Sequence, residues 1–392
     1  MKFTIDRKRL LPVFQLIASN AAKRDVKPVM QEVHLVADLK TKSITLSSFG
    51  GDTFAQKRIF DIDSIESDGE VMLPVKKCNN LFPLLNDGNI EIESDKPGSV
   101  TIKQNDTEAL FCSCDHSEFI SFGQAETFIT NFSNGELLTA TKRTCPAVEA
   151  DNTKYSLGAI CVEAWPNSIS FVATDGRRLH LQKFLPRDCW PETGKSILLS
   201  PKALLFASKL FADDNDSAIR FKLLKASRDG LEKGEAQWNS FDNGTARVIS
   251  LDIEGRYPRW RNIVSPVFDE KPSCITEAGA LLRMTKLASV GTSDKNPGVL
   301  YRFRPGQISA ESNTEGNAVR SSLLVDYQGS EKEARIDPRF LVSGMSTLPG
   351  KMPVSLHVKE DGKPISGSSL PDKKPFGFCT DDGFSVVVMP LS

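Results

Sequence analysis

Residues 1–14 read MKFTIDRKRLLPVF, and the pair Leu10-Leu11 opens a helix-like apolar stretch. The same pair returns at Leu137-Leu138 and at Leu281-Leu282. A second marker, proline followed by a basic residue at the start of another helical pattern, stands at Pro74 with Lys76, Pro201 with Lys202 and Pro338 with Arg339. From 10 to 137 and from 74 to 201 the displacement is 127 residues in each case. The third copy lies 144 and 137 residues further on, a difference that small insertions explain. Two unrelated markers sharing one displacement identify an internal repeat.

The proline-marked segments share a physical logic. Ser200 and Asp337 are good N-cap residues, and proline in the first turn loses only an N–H that lacks a helical partner anyway. After each leucine-pair helix come two alternating strands around a short turn: VHLVADLKTKSITLSS from Val33, ICVEAWPNSISFVAT from Ile160 and LYRFRPGQISAES from Leu300. The repeat unit is helix, hairpin, further strands, helix, strands. FITNFSNGE and SPVFDEKPS carry the residues expected of linkers. They predict domains over 1–128, 129–268 and 269–392. The class is α+β with antiparallel sheets, in three tandem copies of a two-helix domain.

The bulk properties agree. The chain has 392 residues, longer than one core of ~250–300 residues supports. No segment approaches the ~18–20 uninterrupted apolar residues of a membrane span. The charged start lacks a signal peptide's apolar core, so a cytoplasmic protein is expected. Eight cysteines without a framework spacing suit reduced thiols. A net charge of −1 gives no global attraction to nucleic acid, so any such binding must come from local charge placement.

Catalytic constellations are missing from the sequence. The histidines 34, 116, 180 and 357 are dispersed, and there is no G-x-S-x-G elbow, P-loop or G-x-G-x-x-G loop. Cys112, Cys114 and His116 form the one cluster resembling metal ligands. A structural zinc needs four ligands and no second pair has suitable spacing, so buried small hydrophobes are the plainer reading and no metal or cofactor is expected. Asp175-Gly176 and Asp381-Asp382-Gly383 read as turns.

Positive charge is distributed less evenly. Lys76, Lys77, Lys142, Arg143, Lys202, Lys209, Arg283, Lys286 and Arg339 fall within the repeated helices, while Glu136, Glu277 and Asp337 sit at helix starts. For one helix this is an ordinary solvated face. Across three repeats it can become one basic surface, suited to a polyanion held by phosphate contacts that are salt-sensitive and blind to sequence.

Several strings resemble a known family, the bacterial sliding clamp or beta subunit of DNA polymerase III, along essentially the whole chain. MKFTIDRKRLL resembles its first strand and helix, and KRDVKPVMQEV the loop and strand that follow. YSLGAICVE with ATDGRRLH (173–180) resembles its second-domain hairpin, GRYPRWRNIVSP (255–266) a G-x-F/Y-P segment, and VVVMPLS the V-V-M-P tail. The resemblance implies three similar domains per chain and a head-to-tail homodimer, a six-domain ring lined by twelve helices around duplex DNA. Such a ring is a non-catalytic processivity factor that tethers the replicative polymerase, the clamp loader and other clamp-motif proteins. A diverged paralogue in repair or regulation is the alternative within the fold; a metal-dependent enzyme is the alternative outside it.

The resemblance also assigns residues. A partner-peptide pocket would comprise Leu157, Thr174, Gly176, Arg178, Leu179, Pro258, Ile263, Phe340, Val387, Val388, Met389, Pro390 and Leu391. DNA contacts would fall on Arg24, Lys76, Lys77, Lys142, Arg143, Lys202 and Lys209. Subunit contacts would join Leu110 and Phe111 to Leu287 and Val290.

Overall fold

A computed structural model describes residues 1–24, 27–122, 127–150, 155–185, 196–212, 218–226, 236–269, 271–314, 316–358 and 375–391. These form two compact units, the first built from residues 1–137 and 202–252, the second from 138–185, 196–201 and 253–391, counting described residues only. Among the described residues every strand pairing is antiparallel.

The first unit holds two sheets. One runs β5 (Ser64–Ser67), β1 (Lys2–Asp6), β7 (Asn89–Glu93), β8 (Ser99–Gln104), β9 (Thr107–Cys112). The other has eight strands in the order β10 (Thr127–Ser133), β15 (Ala218–Ala226), β16 (Ala236–Asp242), β17 (Ala246–Leu251), β4 (Thr53–Ile59), β3 (Ser43–Phe49), β2 (Glu32–Asp38), β6 (Gly69–Pro74). Its two halves are joined where β17 pairs with β4, Ile249 opposite Phe54. Helix α1 (Arg7–Ala18) buries Leu10, Phe14 and Ile17, a helical spacing, and packs against β2, β3 and β4. Asp6 caps its start by accepting the Lys8 N–H at 2.6 Å, and the Ser48 hydroxyl donates to the Ile17 carbonyl at 2.7 Å near its end. The other face of the sheet is filled by Phe49, Phe54, Met72 and Trp238, with Phe119, Ile120 and Phe122 laid over it. That double cover explains why β3 is buried at every position.

The second unit repeats the plan. Its larger sheet runs β14 (Ser196–Leu199), β11 (Ile160–Trp165), β12 (Ser168–Thr174), β13 (Arg178–Phe184), β25 (Phe384–Val388), β24 (Phe376–Cys379), β23 (Pro353–Val358), β18 (Cys274–Glu277). Its smaller sheet runs β21 (Asn317–Leu324), β20 (Gln307–Thr314), β19 (Val299–Arg304), β22 (Lys332–Ile336). Helix α6 (Ala278–Ser289) buries Leu281, Met284 and Ala288 and packs on β20, β21 and α7 (Pro338–Met345).

The repeat markers land in equivalent places. Leu10, Leu137 and Leu281 are all buried on helices, and Leu11, Leu138 and Leu282 are all half-buried beside them. Leu137 lies on α3 (Asn134–Thr144), whose start is a capping box: Glu136 accepts the Ser133 N–H at 2.7 Å and the Ser133 hydroxyl accepts the Glu136 N–H at 3.2 Å. The three hairpins are β2-β3, β11-β12 and β19-β20. The proline-marked helices are α2 (Val75–Leu81), directly after Pro74, α4 (Pro201–Leu210) and α7, where Asp337 accepts the Arg339 N–H at 3.0 Å.

Two segments expected to be linkers are regular structure instead. FITNFS lies in β10, held by β15 from ninety residues away, and RNIVSPVF is α5 (Arg261–Phe268). Pro266 sits inside that short helix, where its missing N–H costs one ladder bond and does not end it. All seven described cysteines are free; Cys189 lies outside the described residues. No described helix is long and apolar enough to cross a membrane.

Candidate functional site

The string ATDGRRLH builds a turn and the strand that leaves it. Asp175 Oδ1 accepts the N–H groups of Arg177 and Arg178, both at 2.9 Å, and Thr174 Oγ1 accepts the Gly176 N–H at 3.1 Å while donating to the Arg178 carbonyl at 2.6 Å. Gly176 takes φ +85°, a left-handed conformation that glycine adopts without strain. Arg178 is fixed in turn: it pairs with Asp175 at 3.1 Å, donates to the Ser343 hydroxyl at 2.7 Å and lies 5.0 Å over the Phe340 ring. Beyond the turn, Leu179 of β13 stands opposite Val387 of β25, and the Met389 N–H donates to the Arg177 carbonyl at 2.8 Å.

These elements enclose an apolar pocket of about 90 Å³ within the second unit. Leu179, Val387 and Trp260 form its floor and belong to a buried cluster with Ala159, Val172 and Val264. Leu157, Thr174, Pro258, Ile263, Met389 and the 176–178 turn form its walls.

Nine of the thirteen residues assigned to the pocket from sequence line it: Leu157, Thr174, Gly176, Arg178, Leu179, Pro258, Ile263, Val387 and Met389. Val388 does not, because alternation along β25 turns it to the opposite face, where it joins Val386 and Phe384 in another core cluster. Phe340 acts from behind, as the ring under Arg178. Pro390 and Leu391 lie outside the lining; the Leu391 N–H donates to the Arg335 carbonyl at 2.8 Å. Arg177 and Trp260 line the pocket and were not picked out from sequence. The i, i+3 spacing of Trp260 and Ile263 at the start of α5 is the signal that could have found the tryptophan.

Trp260 is itself anchored. Its indole N–H donates to Glu163 Oε1 at 3.0 Å, the Ser196 hydroxyl donates to the same oxygen at 3.0 Å, and Arg261 pairs with Oε2. The Arg261 guanidinium covers the Trp260 ring at 4.2 Å and the Trp165 ring at 5.1 Å. Burial pushes the Glu163 carboxyl up, but the hydrogen bonds from Arg261, Trp260 and Ser196 and the charge of Arg261 outweigh it and hold the group below the usual range.

The basic residues divide into two kinds. Lys202 and Lys209 are exposed on α4 and border a groove of about 400 Å³ with Leu16, Ser19, Asn20 and Phe206, all within the first unit. Arg24, Lys76, Lys77 and Lys142 are exposed as well, and Lys77 lies 5.5 Å over the Phe111 ring. Arg143 is different. It is buried, pairs with Asp382 at 2.8 Å, donates to Gln182 Oε1 at 2.8 Å and covers the Phe384 ring at 5.2 Å. Its guanidinium is committed to the protein interior, which removes it from the nucleic-acid set. Leu110 is exposed on β9, the outer strand of its sheet, with Phe111 half-buried beside it. Leu287 is exposed on α6 and Val290 just after it.

The cysteine cluster expected to be small buried hydrophobes is not buried. Cys112 is exposed and Cys114 half-buried. Burial and the neighbouring Glu32 push the Cys114 thiol up to about 11, so it is protonated at neutral pH. Among the described residues His116 groups with neither cysteine but with His34 and Glu70.

Residues 1–121 match the model of the DNA polymerase III beta subunit, N-terminal domain. Over longer spans the chain is similar to proteins named beta sliding clamp. One from Pseudomonas putida is 21% identical, covering 89% of this chain and 90% of that one; one from Chlamydia pneumoniae is 21% identical, covering 100% and 99%. Among solved structures, the sliding clamp of Pseudomonas aeruginosa superposes with a TM-score of 0.83 at 17% identity over 100% of both chains. That of Bacillus subtilis gives 0.83 at 19% identity, covering 100% of this chain and 99% of the other. The chain thus shares the fold of the solved sliding clamps along its whole length, and its first 121 residues match the N-terminal domain of the DNA polymerase III beta subunit.

Proposed function

We propose that the protein is a DNA sliding clamp that confers processivity on the replicative polymerase, with no catalytic activity of its own, acting in the cytoplasm. Three clamp-type domains, over 1–128, 129–268 and 269–392, would make half of a six-domain homodimeric ring around duplex DNA. Arg24, Lys76, Lys77, Lys142, Lys202 and Lys209 would meet phosphates. Exposed, flexible lysines suit this task, because weak contacts without base readout let a closed ring slide. Leu110 and Phe111 of one protomer would meet Leu287 and Val290 of its partner, burying apolar side chains that a single chain leaves in water.

The observation that carries the reading is the pocket floored by Leu179, Val387 and Trp260. A rigid turn on one side and the adaptable Met389 on the other suit short apolar motifs from several proteins, namely the polymerase, the clamp loader and other clamp-motif partners. A clamp from C. crescentus, 19% identical with a TM-score of 0.79, was solved with PEG at what its description calls a beta-motif tethering region.

The test is native mass by light scattering across a dilution series, followed by retention on nicked circular DNA. A mass near twice 43.1 kDa, with loss from the DNA only after linearisation, is expected. A stable monomer, or equal loss from circular and linear DNA, would refute the encircling mechanism.

A further inference from the structure

Three residues from distant parts of the first unit converge on its eight-stranded sheet. His34 lies on β2 and Glu70 on β6, diagonal neighbours on one face because His34 stands opposite Met72 and Glu70 opposite Val36. His116 arrives from the segment after β9 that covers this face. The segment is fixed at both ends of the cluster: the Cys114 N–H donates to Glu32 Oε2 at 2.9 Å, and the Phe119 ring packs 5.1 Å from the His34 ring. Asp115 Oδ1 accepts the Ser117 N–H at 3.0 Å, which shapes the short turn bearing His116.

We propose that His34, Glu70 and His116 bind a divalent transition-metal ion of the zinc type. Their ligand atoms all lie within 4.8 Å of one another. Glu70 Oε2 is 2.9 Å from His34 Nε2 and 3.5 Å from His116 Nδ1, and the two imidazoles are nearly parallel, 12° apart with centroids at 6.3 Å. Ligands about 2.0–2.1 Å from a tetrahedral zinc stand roughly 3.3 Å from each other, a value the two Glu70 contacts bracket. One carboxylate oxygen facing two imidazoles is poorly used as a hydrogen-bond acceptor, since the longer contact is at the limit of bonding; an ion at the centre engages all three groups. The two imidazoles favour zinc-like ions over magnesium or calcium, and with one carboxylate they make a set that zinc accepts. Glu70 is exposed while His34 and His116 are half-buried, so the cluster is reached from solvent at Glu70. The bound ion would pin the 113–122 segment to β2 and β6.

Metal-stripped full-length protein titrated with Zn2+, and with Co2+ as a spectroscopic probe, tests this. One equivalent per chain is expected, with cobalt d–d bands of a nitrogen and oxygen site and without the thiolate charge-transfer band that the cysteines would give. His116→Gln, at a half-buried position on a short turn, should weaken binding by about 10–100-fold or more while the urea midpoint of the metal-free protein stays unchanged, since loss of a ligand costs at least what loss of an outer partner does. Glu70→Gln should do the same. Thiolate charge transfer, unchanged affinity in both variants, or no cobalt spectrum at millimolar metal would overturn the proposal.

Discussion

Replacing Glu163 with Gln tests whether the pocket floor is held by one buried carboxylate. Only 8% of the Glu163 side chain is exposed, and it takes hydrogen bonds from Trp260, Ser196 and Arg261. The amide keeps one acceptor oxygen and turns an NH₂ toward a guanidinium that can only donate. Losing a charged hydrogen bond costs about 1.5–3 kcal/mol, and stranding a fully buried charge about 3–5 kcal/mol. Arg261 is 43% exposed and rehydrates, so the cost settles near 2 kcal/mol. Urea unfolding of the second unit, followed by the fluorescence of Trp165 and Trp260, should show the midpoint falling by about 1 M at unchanged slope.

The pH dependence supplies an independent check. Glu163 has its folded-state pKa held below its ordinary value of 4.5, so its contribution is full above that value and is lost as pH falls through the lower, folded one. The difference between parent and variant should therefore narrow in acid. A stability change under about 0.5 kcal/mol, within the range of an ordinary surface substitution, would refute the reasoning. So would a difference that stays constant from neutral pH down to the folded-state value.

Further outcomes follow from the same structure. Met389→Ala should weaken a fluorescent clamp-motif peptide by roughly 5–30-fold at unchanged stability, as removal of about 1–2 kcal/mol of apolar burial requires; unaltered anisotropy titrations would exclude Met389 from the peptide site. Truncation must begin there and not at Val387, because Val387 and Val388 pair with both β13 and β24 and their removal opens the sheet. Lys202→Glu with Lys209→Glu should lower the salt slope of DNA binding by about 0.9 for each phosphate no longer neutralised, whereas Arg143→Gln should leave the slope alone and destabilise the second unit by about 2 kcal/mol, because Asp382 is 43% exposed and rehydrates. An unchanged slope in the lysine variant would take α4 off the DNA surface. His180 is wholly buried, and burial lowers its pKa to about 4 despite its hydrogen bond to the Arg143 carbonyl. Below its ordinary 6.5 the unfolded chain binds a proton that the folded one refuses, so stability should decline as pH falls from 6.5 to about 4. His180→Gln should flatten that decline in pH-resolved urea midpoints, and an identical decline would assign it to other groups.

The sequence carried the repeat because leucine pairs, proline-marked helix starts and hairpin turns are local signals. Leu10, Leu137 and Leu281 needed no knowledge of their neighbours to be read as core. FITNFS was misread because its alternation is short and its strand partner β15 lies far along the chain. Arg143 was read as a surface cation from its helix, while the Asp382 that turns it inward is 239 residues away. The same limit hid Trp260 in the pocket and the convergence of His34, Glu70 and His116, each delivered by a different segment. Val388 is separable from Val387 on local grounds, since period-two alternation allows only one of two adjacent strand residues to face a given pocket.

The place of β25 in the middle of its sheet sets a schedule for synthesis. Residues 178–182 of β13 wait for residues 384–388 before their outer edge is paired. At ~5–20 residues per second a ribosome needs about 10–40 s to add the intervening chain. Through that interval the nascent polypeptide carries an apolar, unpaired strand edge, the feature that invites aggregation and chaperone binding. It also lacks Val387 and Met389, so the apolar pocket is incomplete until translation has passed them. On the proposed reading, an interrupted translation product would therefore be unable to sequester partner motifs, and partner recruitment would be coupled to synthesis of β25.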